Sequence, residues 1–352
     1  HDRTMTAFAT KTSAVEFLLP IWQTVLQRSS IRTKDNFFDL GGSPASAAQL
    51  FSEVAKGCGR HLPAVLIYSA PTIEALAEVL EQPEPPRLPP LLLLKAGAVQ
   101  TPVFIAHGLG DTVLDLFRLV NTIESPHTIY GMQARGIDGI DPPLASVEEM
   151  AQFHLEAIKK LQTEGPYLLI GYSLGGLVAL EIAQRLSNGG EKVALLALVD
   201  SYPHRTQLGL VQNALLSFRL AKRRMLSPGA PLGKARAEHS ESVDPNPSPA
   251  SRISESTSSV TQRMRDSAYL ALKRYRPQYY GGRINFVRPA IVTDFPQDPA
   301  AVWSHLAAQF ELETIPGDHW SMLTTEFKKL GSVLTGYLRE ASSKHFEPDD
   351  RP

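Results

Sequence analysis

At the usual ~150 residues per domain, 352 residues make roughly two domains. Hydrophobic residues at 43% and charged residues at 20% allow a sizeable core and exclude wholesale disorder. A formal net charge of −1 excludes a general nucleic-acid surface, and the lone Cys58 excludes an internal disulfide or a cysteine-rich zinc site. The apolar run Pro89 to Leu94 is far too short to span a bilayer. The chain opens on His1-Asp2-Arg3, with neither an initiator methionine nor a secretory segment, which points to a soluble, reduced, cytoplasmic piece of a longer protein.

In chain order, the first helix is expected around Phe17, Trp22, Val25 and Leu26, with Pro20 bending or restarting it. A second begins at Ser43-Pro44, with Ser43 as N-cap and Pro44 in the first turn, and carries Leu50, Phe51 and Val54 inward. Thr72 caps a last helix striped by Ile73, Leu76, Val79 and Leu80. Glu81 to Pro90 is proline-dense and reads as an extended linker. Beyond it, strands are expected at Val103–Ala106, Thr128–Tyr130, Leu168–Gly171, Val193–Val199, Ile284–Val287 and Glu311–Ile315. Helices lie between them, among them Val147–Leu161, opened by a Ser146…Glu149 capping box, and Leu174–Leu186. Such alternation implies a mostly parallel sheet with helices on both faces, its chemistry at the carboxyl ends of the strands. From Ser227 to about Ser259, small and polar residues cannot offset their ordering entropy, so a mobile loop is expected there. Helical spacing flanks that loop, in Val211, Ala214, Leu215 and Phe218 and in Met264, Ala268, Ala271, Leu272 and Tyr275. These two helices read as an insertion, packed on the rest of the domain or closing over it as a lid. Lys222-Arg223-Arg224 reads as a solvated face, or as a guide for a phosphate-bearing group.

The sharpest signal is Gly171-Tyr172-Ser173-Leu174-Gly175, between the apolar run Tyr167–Ile170 and a helical run. A serine on so tight a strand-to-helix turn is exposed and strained, and its neighbours must be glycine because side chains there would collide. The hydroxyl needs a base, and the base needs an acid to orient it. Asp200 ends the strand Val193–Val199, and His319 follows the last expected strand, so the order is Ser, acid, His. Asp318 competes with Asp200 as the acid, but adjacent residues rarely turn their side chains toward each other. An oxyanion hole would come from the backbone N–H of Leu174 and from that of Leu109, with Gly108 as the alternative. His107 in the same loop reads as structural.

In the first part of the chain, Asp35-Asn36-Phe37-Phe38-Asp39-Leu40-Gly41-Gly42 and Ala70-Pro71-Thr72-Ile73-Glu74-Ala75-Leu76-Ala77 resemble the acyl or peptidyl carrier domains of nonribosomal peptide synthetases. The second part is similar to the type I thioesterases that end such assembly lines. The stretches that carry this likeness are Phe104–Gly110, Tyr130–Gly136, the Ser173 elbow and Gly317-Asp318-His319. The resemblance implies a four-helix carrier over 12–82, a linker over 83–90 and an α/β-hydrolase fold over 91–345 with a helical lid over about 205–280. It implies a hydrolase of secondary-metabolite synthesis that uses Ser173, Asp200 and His319 and no metal. Its acyl or peptidyl thioester would arrive on 4′-phosphopantetheine from upstream synthetase domains or another charged carrier, and leave by hydrolysis or cyclisation. Family members attach the phosphopantetheine to a serine two places after the paired glycines, where this chain has Pro44. Proline has no nucleophile, so this carrier is expected to hold no covalent cofactor; Ser43 and then Ser46 are the displaced alternatives. The competing functions are an α/β-hydrolase esterase, an acyltransferase and a non-catalytic binding module.

Overall fold

Thr10 and Ser43 each close a capping box at the start of a helix, and these two helices organise the N-terminal body. In the computed structural model, which describes residues 8, 10–84, 86–110, 112–226, 249–292 and 295–345, they are α1 (Lys11–Leu26) and α2 (Pro44–Cys58). A short 3-10 helix (Ala64–Tyr68) and α3 (Ile73–Glu81) complete the body. The expected bundle of four helices is thus three α-helices and one 3-10 turn. Ala14, Leu18, Trp22, Phe37, Leu50, Val54, Ile73 and Leu76 are fully enclosed between them. Pro20 does not break α1. It faces solvent together with Glu16, so water can take the carbonyl that the missing N–H leaves unpaired.

The C-terminal body is built in chain order from β1 (Leu91–Lys95), β2 (Val99–Ala106), α4 (Phe117–Thr122), β3 (His127–Met132), α5 (Val147–Leu161) and β4 (Tyr167–Tyr172). It continues through α6 (Leu174–Asn188), β5 (Val193–Val199), α7 (Leu210–Leu226), α8 (Pro249–Arg274) and β6 (Tyr280–Pro289). It ends with α9 (Pro299–Trp303), β7 (Ala307–Ile315), α10 (Ser321–Thr324) and α11 (Phe327–His345). The seven strands form one sheet in the order β1-β3-β2-β4-β5-β6-β7, and only the β1–β3 pair is antiparallel. One face is covered by α5, α6, α8 and α9, and the other by α4, α10 and α11, so the central strands are buried on both sides. This is the α/β-hydrolase type of architecture.

Three expectations need correction here. The first strand, β1, is absent from the sequence-based set, because four successive leucines show no period-two alternation. The segment expected to be a loop to about Ser259 is helical from Pro249; residues 227–248 lie outside the described residues. Leu215 and Phe218 of α7 do not pack inward but are 60% and 72% exposed, whereas Met264, Ala268 and Ala271 of α8 and Tyr275 just after it are buried. The side chains of Lys222, Arg223 and Arg224 lie outside the described residues.

The two bodies meet along an apolar seam. Val65 of the 3-10 helix packs with Leu92 of β1 and Val113. Phe38 stacks on Tyr68 at 4.8 Å and on Phe117 of the larger body at 5.3 Å between ring centroids. Among the described residues, no helix is long and apolar enough to cross a membrane.

Candidate active site

β4 is buried along its whole length and passes into α6 through Ser173 alone. Such a turn is possible only because backbones touch there. A Cβ on Gly171 would lie 2.2 Å from the Gly175 carbonyl oxygen, and one on Gly175 would lie 2.4 Å from the His107 carbonyl oxygen. Side chains at either position would force α6 away from β4 or from the loop after β2. Ser173 itself is held at φ 55° and ψ −122°, a conformation that costs a non-glycine residue of order 1–3 kcal/mol. Its N–H donates to the Val199 carbonyl at 2.9 Å, which ties the elbow to the end of β5.

Asp200 follows directly on β5, also with a left-handed φ of 44°, and its N–H donates to the Val287 carbonyl of β6 at 2.8 Å. Its carboxylate is buried and accepts from His319 Nδ1 at 2.7 Å. A carboxylate only accepts, so the neutral imidazole carries its proton on Nδ1 and keeps a lone pair on Nε2. Burial raises the Asp200 pKa above the ordinary carboxylate value, and the hydrogen bond from His319 opposes that rise. The competing acid, Asp318, is occupied elsewhere. Its Oδ1 accepts the Ser321 N–H at 2.9 Å and its own N–H donates to Ser321 Oγ at 2.6 Å, closing the turn into α10.

Two residues that the sequence did not flag hold the imidazole. The Tyr172 ring stacks on it at 4.8 Å, while the Tyr172 hydroxyl donates to the His319 carbonyl at 2.7 Å. The Phe295 ring lies at 4.8 Å, and the Phe295 carbonyl accepts from Arg219 of α7. Tyr172 could have been suspected from its place beside the elbow serine. Nothing in the local sequence marks Phe295. The Ser173 hydroxyl makes no hydrogen bond among the described residues; contacts of this kind commonly tighten only once substrate is bound.

The loop after β2 is braced by His107. Its Nε2 accepts the Ala134 N–H at 3.3 Å, so Nδ1 carries the proton and donates to the Gly108 carbonyl at 2.9 Å. Burial lowers the His107 pKa and keeps the ring neutral. In a trans peptide the C=O and N–H point to opposite sides, so fixing the Gly108 carbonyl also fixes the Leu109 N–H. Leu174 is the first residue of α6, so its N–H has no acceptor within the helix.

In the smaller body, Ser43 is the N-cap of α2 and Pro44 its first residue. Ser43 Oγ accepts the Ser46 N–H at 3.2 Å, and Ser46 Oγ accepts the Ser43 N–H at 2.7 Å. Both hydroxyls therefore serve the cap, while Pro44 offers none.

Residues 101–335 match the family described as thioesterase domain, and residues 16–80 match that described as phosphopantetheine attachment site. A dimodular nonribosomal peptide synthase of Bacillus subtilis is 28% identical over 94% of this chain, which spans 14% of that protein. An indigoidine synthase of Dickeya dadantii is 35% identical over 52% of the chain and 12% of its own length. Among solved structures, a four-domain nonribosomal peptide synthetase superposes with a TM-score of 0.57 at 20% identity, covering 97% of this chain and 27% of that one. The type II thioesterase of the borrelidin cluster gives 0.52 at 16% identity over 73% of this chain and all of its own. At these identities the structural likeness bears on the fold alone. The thioesterase match, by contrast, runs through well over half of the sequence and contains the elbow serine, so this chain belongs to the thioesterase family and carries a carrier-family domain ahead of its hydrolase body.

Proposed function

We propose that the chain releases an acyl or peptidyl group from a phosphopantetheine arm of a nonribosomal peptide synthetase, through an acyl-enzyme on Ser173. The observations that carry this reading are the 2.7 Å pairing of His319 Nδ1 with the buried Asp200 and the strained elbow that holds Ser173. As Ser173 Oγ attacks the thioester carbonyl, His319 Nε2 takes its proton and Asp200 stabilises the imidazolium. The Leu109 and Leu174 N–H groups hold the oxyanion. The C–S bond breaks, the imidazolium returns its proton to the departing thiolate, and an ester to Ser173 remains. Water, or a nucleophile within the acyl chain, attacks that ester with His319 again as base, and the proton returns to Ser173 Oγ. The α7–α8 insertion acts as a lid in this scheme, since Met264 and Ala268 lie beside the oxyanion loop.

Incubation with acyl-pantetheine thioesters is expected to add the acyl mass to Ser173, and Ser173→Ala to take up none. Turnover of the matched oxyester at the same rate, or acyl mass on the Ser173→Ala protein, would turn the assignment toward a general esterase or an unrelated site.

We further propose that the attached carrier is not loaded, so the substrate comes from a different carrier, upstream in the same assembly or on another chain. Pro44 at the attachment position and the engagement of Ser43 and Ser46 in the cap support this. Coenzyme A and a broad phosphopantetheinyl transferase should leave the intact mass unchanged, and Pro44→Ser should restore the modification. Loss of the proline would cost α2 little, because the N-cap stays in place. Phosphopantetheine on the unaltered protein would overturn the proposal.

A further inference from the structure

Between the oxyanion loop, α5, α6 and α8 lies a mainly apolar cavity of about 60 Å³. It is lined by Met132, Val178 and Met264, and it reaches Gly108 and Leu174 on either side of the proposed oxyanion hole. An acyl carbonyl seated there would direct its own substituent into this space. The volume corresponds to roughly four to six water-sized positions, well below what an aromatic ring needs.

His154 of α5 also lines the cavity and is 5% exposed. Its Nδ1 is buried and has no hydrogen-bond partner among the described residues. An amphipathic helix with Val147, Ala151 and Ile158 on the same buried face would be served at this position by an aliphatic residue. Burial pushes the His154 pKa down to about 3; nearby His107 acts in the same direction, and the Pro90 carbonyl opposes them. The ring is therefore an uncharged hydrogen-bonding group in a mainly apolar wall. Arg135 also lines the cavity and lies 3.5 Å from the Asp141 carboxylate, which pairs with Arg87 at 2.7 Å.

We propose that this cavity selects the substituent next to the thioester carbonyl, accepting a compact branched aliphatic group that carries one hydroxyl, with His154 as the residue that reads the hydroxyl. A hydroxyl suits either tautomer of His154, since it can donate to a bare ring nitrogen or accept from a protonated one. Unlike an ammonium or a carboxylate, it enters without a buried charge. The assignment rests on the thioesterase reading of Ser173 and adds the substrate class.

The test uses the full chain and four pantetheine thioesters: acetyl, a branched aliphatic acyl, its analogue with one methyl replaced by hydroxyl, and the analogue with a carboxylate. The hydroxyl substrate should exceed its methyl isostere by at least about tenfold in kcat/KM, because a site built to bond a hydroxyl rejects the analogue lacking it. The carboxylate should be the poorest. His154→Leu should bring the hydroxyl-to-methyl ratio close to unity or invert it, whereas His154→Gln, which keeps a hydrogen-bonding side chain, should retain the preference. Being a ratio within one protein, this readout is insensitive to a general loss of active enzyme. Equal turnover of the two isosteres by the unaltered protein, or the same ratio in the leucine variant, would overturn the proposal. Failure of acetyl turnover together with failure of a fluorophosphonate probe to label Ser173 would instead remove the thioesterase reading, and the cavity's role with it.

Discussion

Replacement of Ser173 by glycine should abolish thioester turnover and at the same time make the protein more stable. The serine is held at φ 55° and ψ −122°, where a side chain is strained and glycine is not. Releasing strain of order 1–3 kcal/mol, less the extra freedom glycine gives the unfolded chain, leaves a gain of about 1 kcal/mol. For a body of this size, that gain is worth roughly 2–4 °C in Tm. Loss of the nucleophile should lower kcat by about 10⁵–10⁶-fold. Ser173→Ala separates the two effects: alanine removes the hydroxyl but keeps a Cβ, so it should lose the activity without the thermal gain. A glycine variant that melts below the unaltered protein would contradict the strain assigned to the elbow. One that still turns over would contradict the nucleophile.

Asp200→Asn should behave in a related way for a different reason. An orienting acid that becomes an amide no longer fixes the imidazole tautomer or stabilises its charged form, and such a change lowers kcat by about 10⁴-fold. Its effect on stability should be neutral or favourable. Burial raises the folded-state pKa of Asp200 above the unfolded value, so the ionised carboxylate disfavours the fold wherever it is charged. The contribution of this group to stability therefore improves as pH falls from above the folded pKa toward the unfolded one, the reverse of an ordinary paired surface carboxylate. The neutral amide should keep that improvement at all pH values. Thermal melts of the two proteins across the acid range, set beside kcat for an acyl-pantetheine substrate, check both halves. An asparagine variant that is clearly less stable at neutral pH would mean that the pairing with His319 outweighs the burial of the charge.

The elbow could be read from the sequence because local and global demands coincide there. An apolar strand, a glycine-flanked serine and a helical run leave one conformation in which all three fit. Asp200 and His319 were legible for a similar reason: Asp200 directly follows a strand and His319 comes four residues after one, both strands ending at the same edge of the sheet. The capping residues Ser43, Thr72 and Ser146 act within three residues, and local sequence carries that information well. What escaped depends on contacts between distant segments. Phe295 meets His319, and its carbonyl meets Arg219 of α7, through contacts between segments far apart in the chain, and no spacing rule reports that. β1 is an edge strand of near-uniform leucine, so neither alternation nor length separates it from an apolar linker. The apolar face of α7 followed helical spacing, yet spacing cannot say whether anything comes to cover it.

The stacking of Phe38 on Phe117, with Val65 set against Leu92 and Val113, has a consequence for how the chain can be divided. The proline-dense stretch looks like a natural place to cut, but the cut would separate two partners of one continuous hydrophobic contact. A hydrolase body excised at that point would present Leu92, Val113 and Phe117 to water side by side. Such a fragment would be prone to self-association, and the leading helices would then serve the enzyme as a fitted cover.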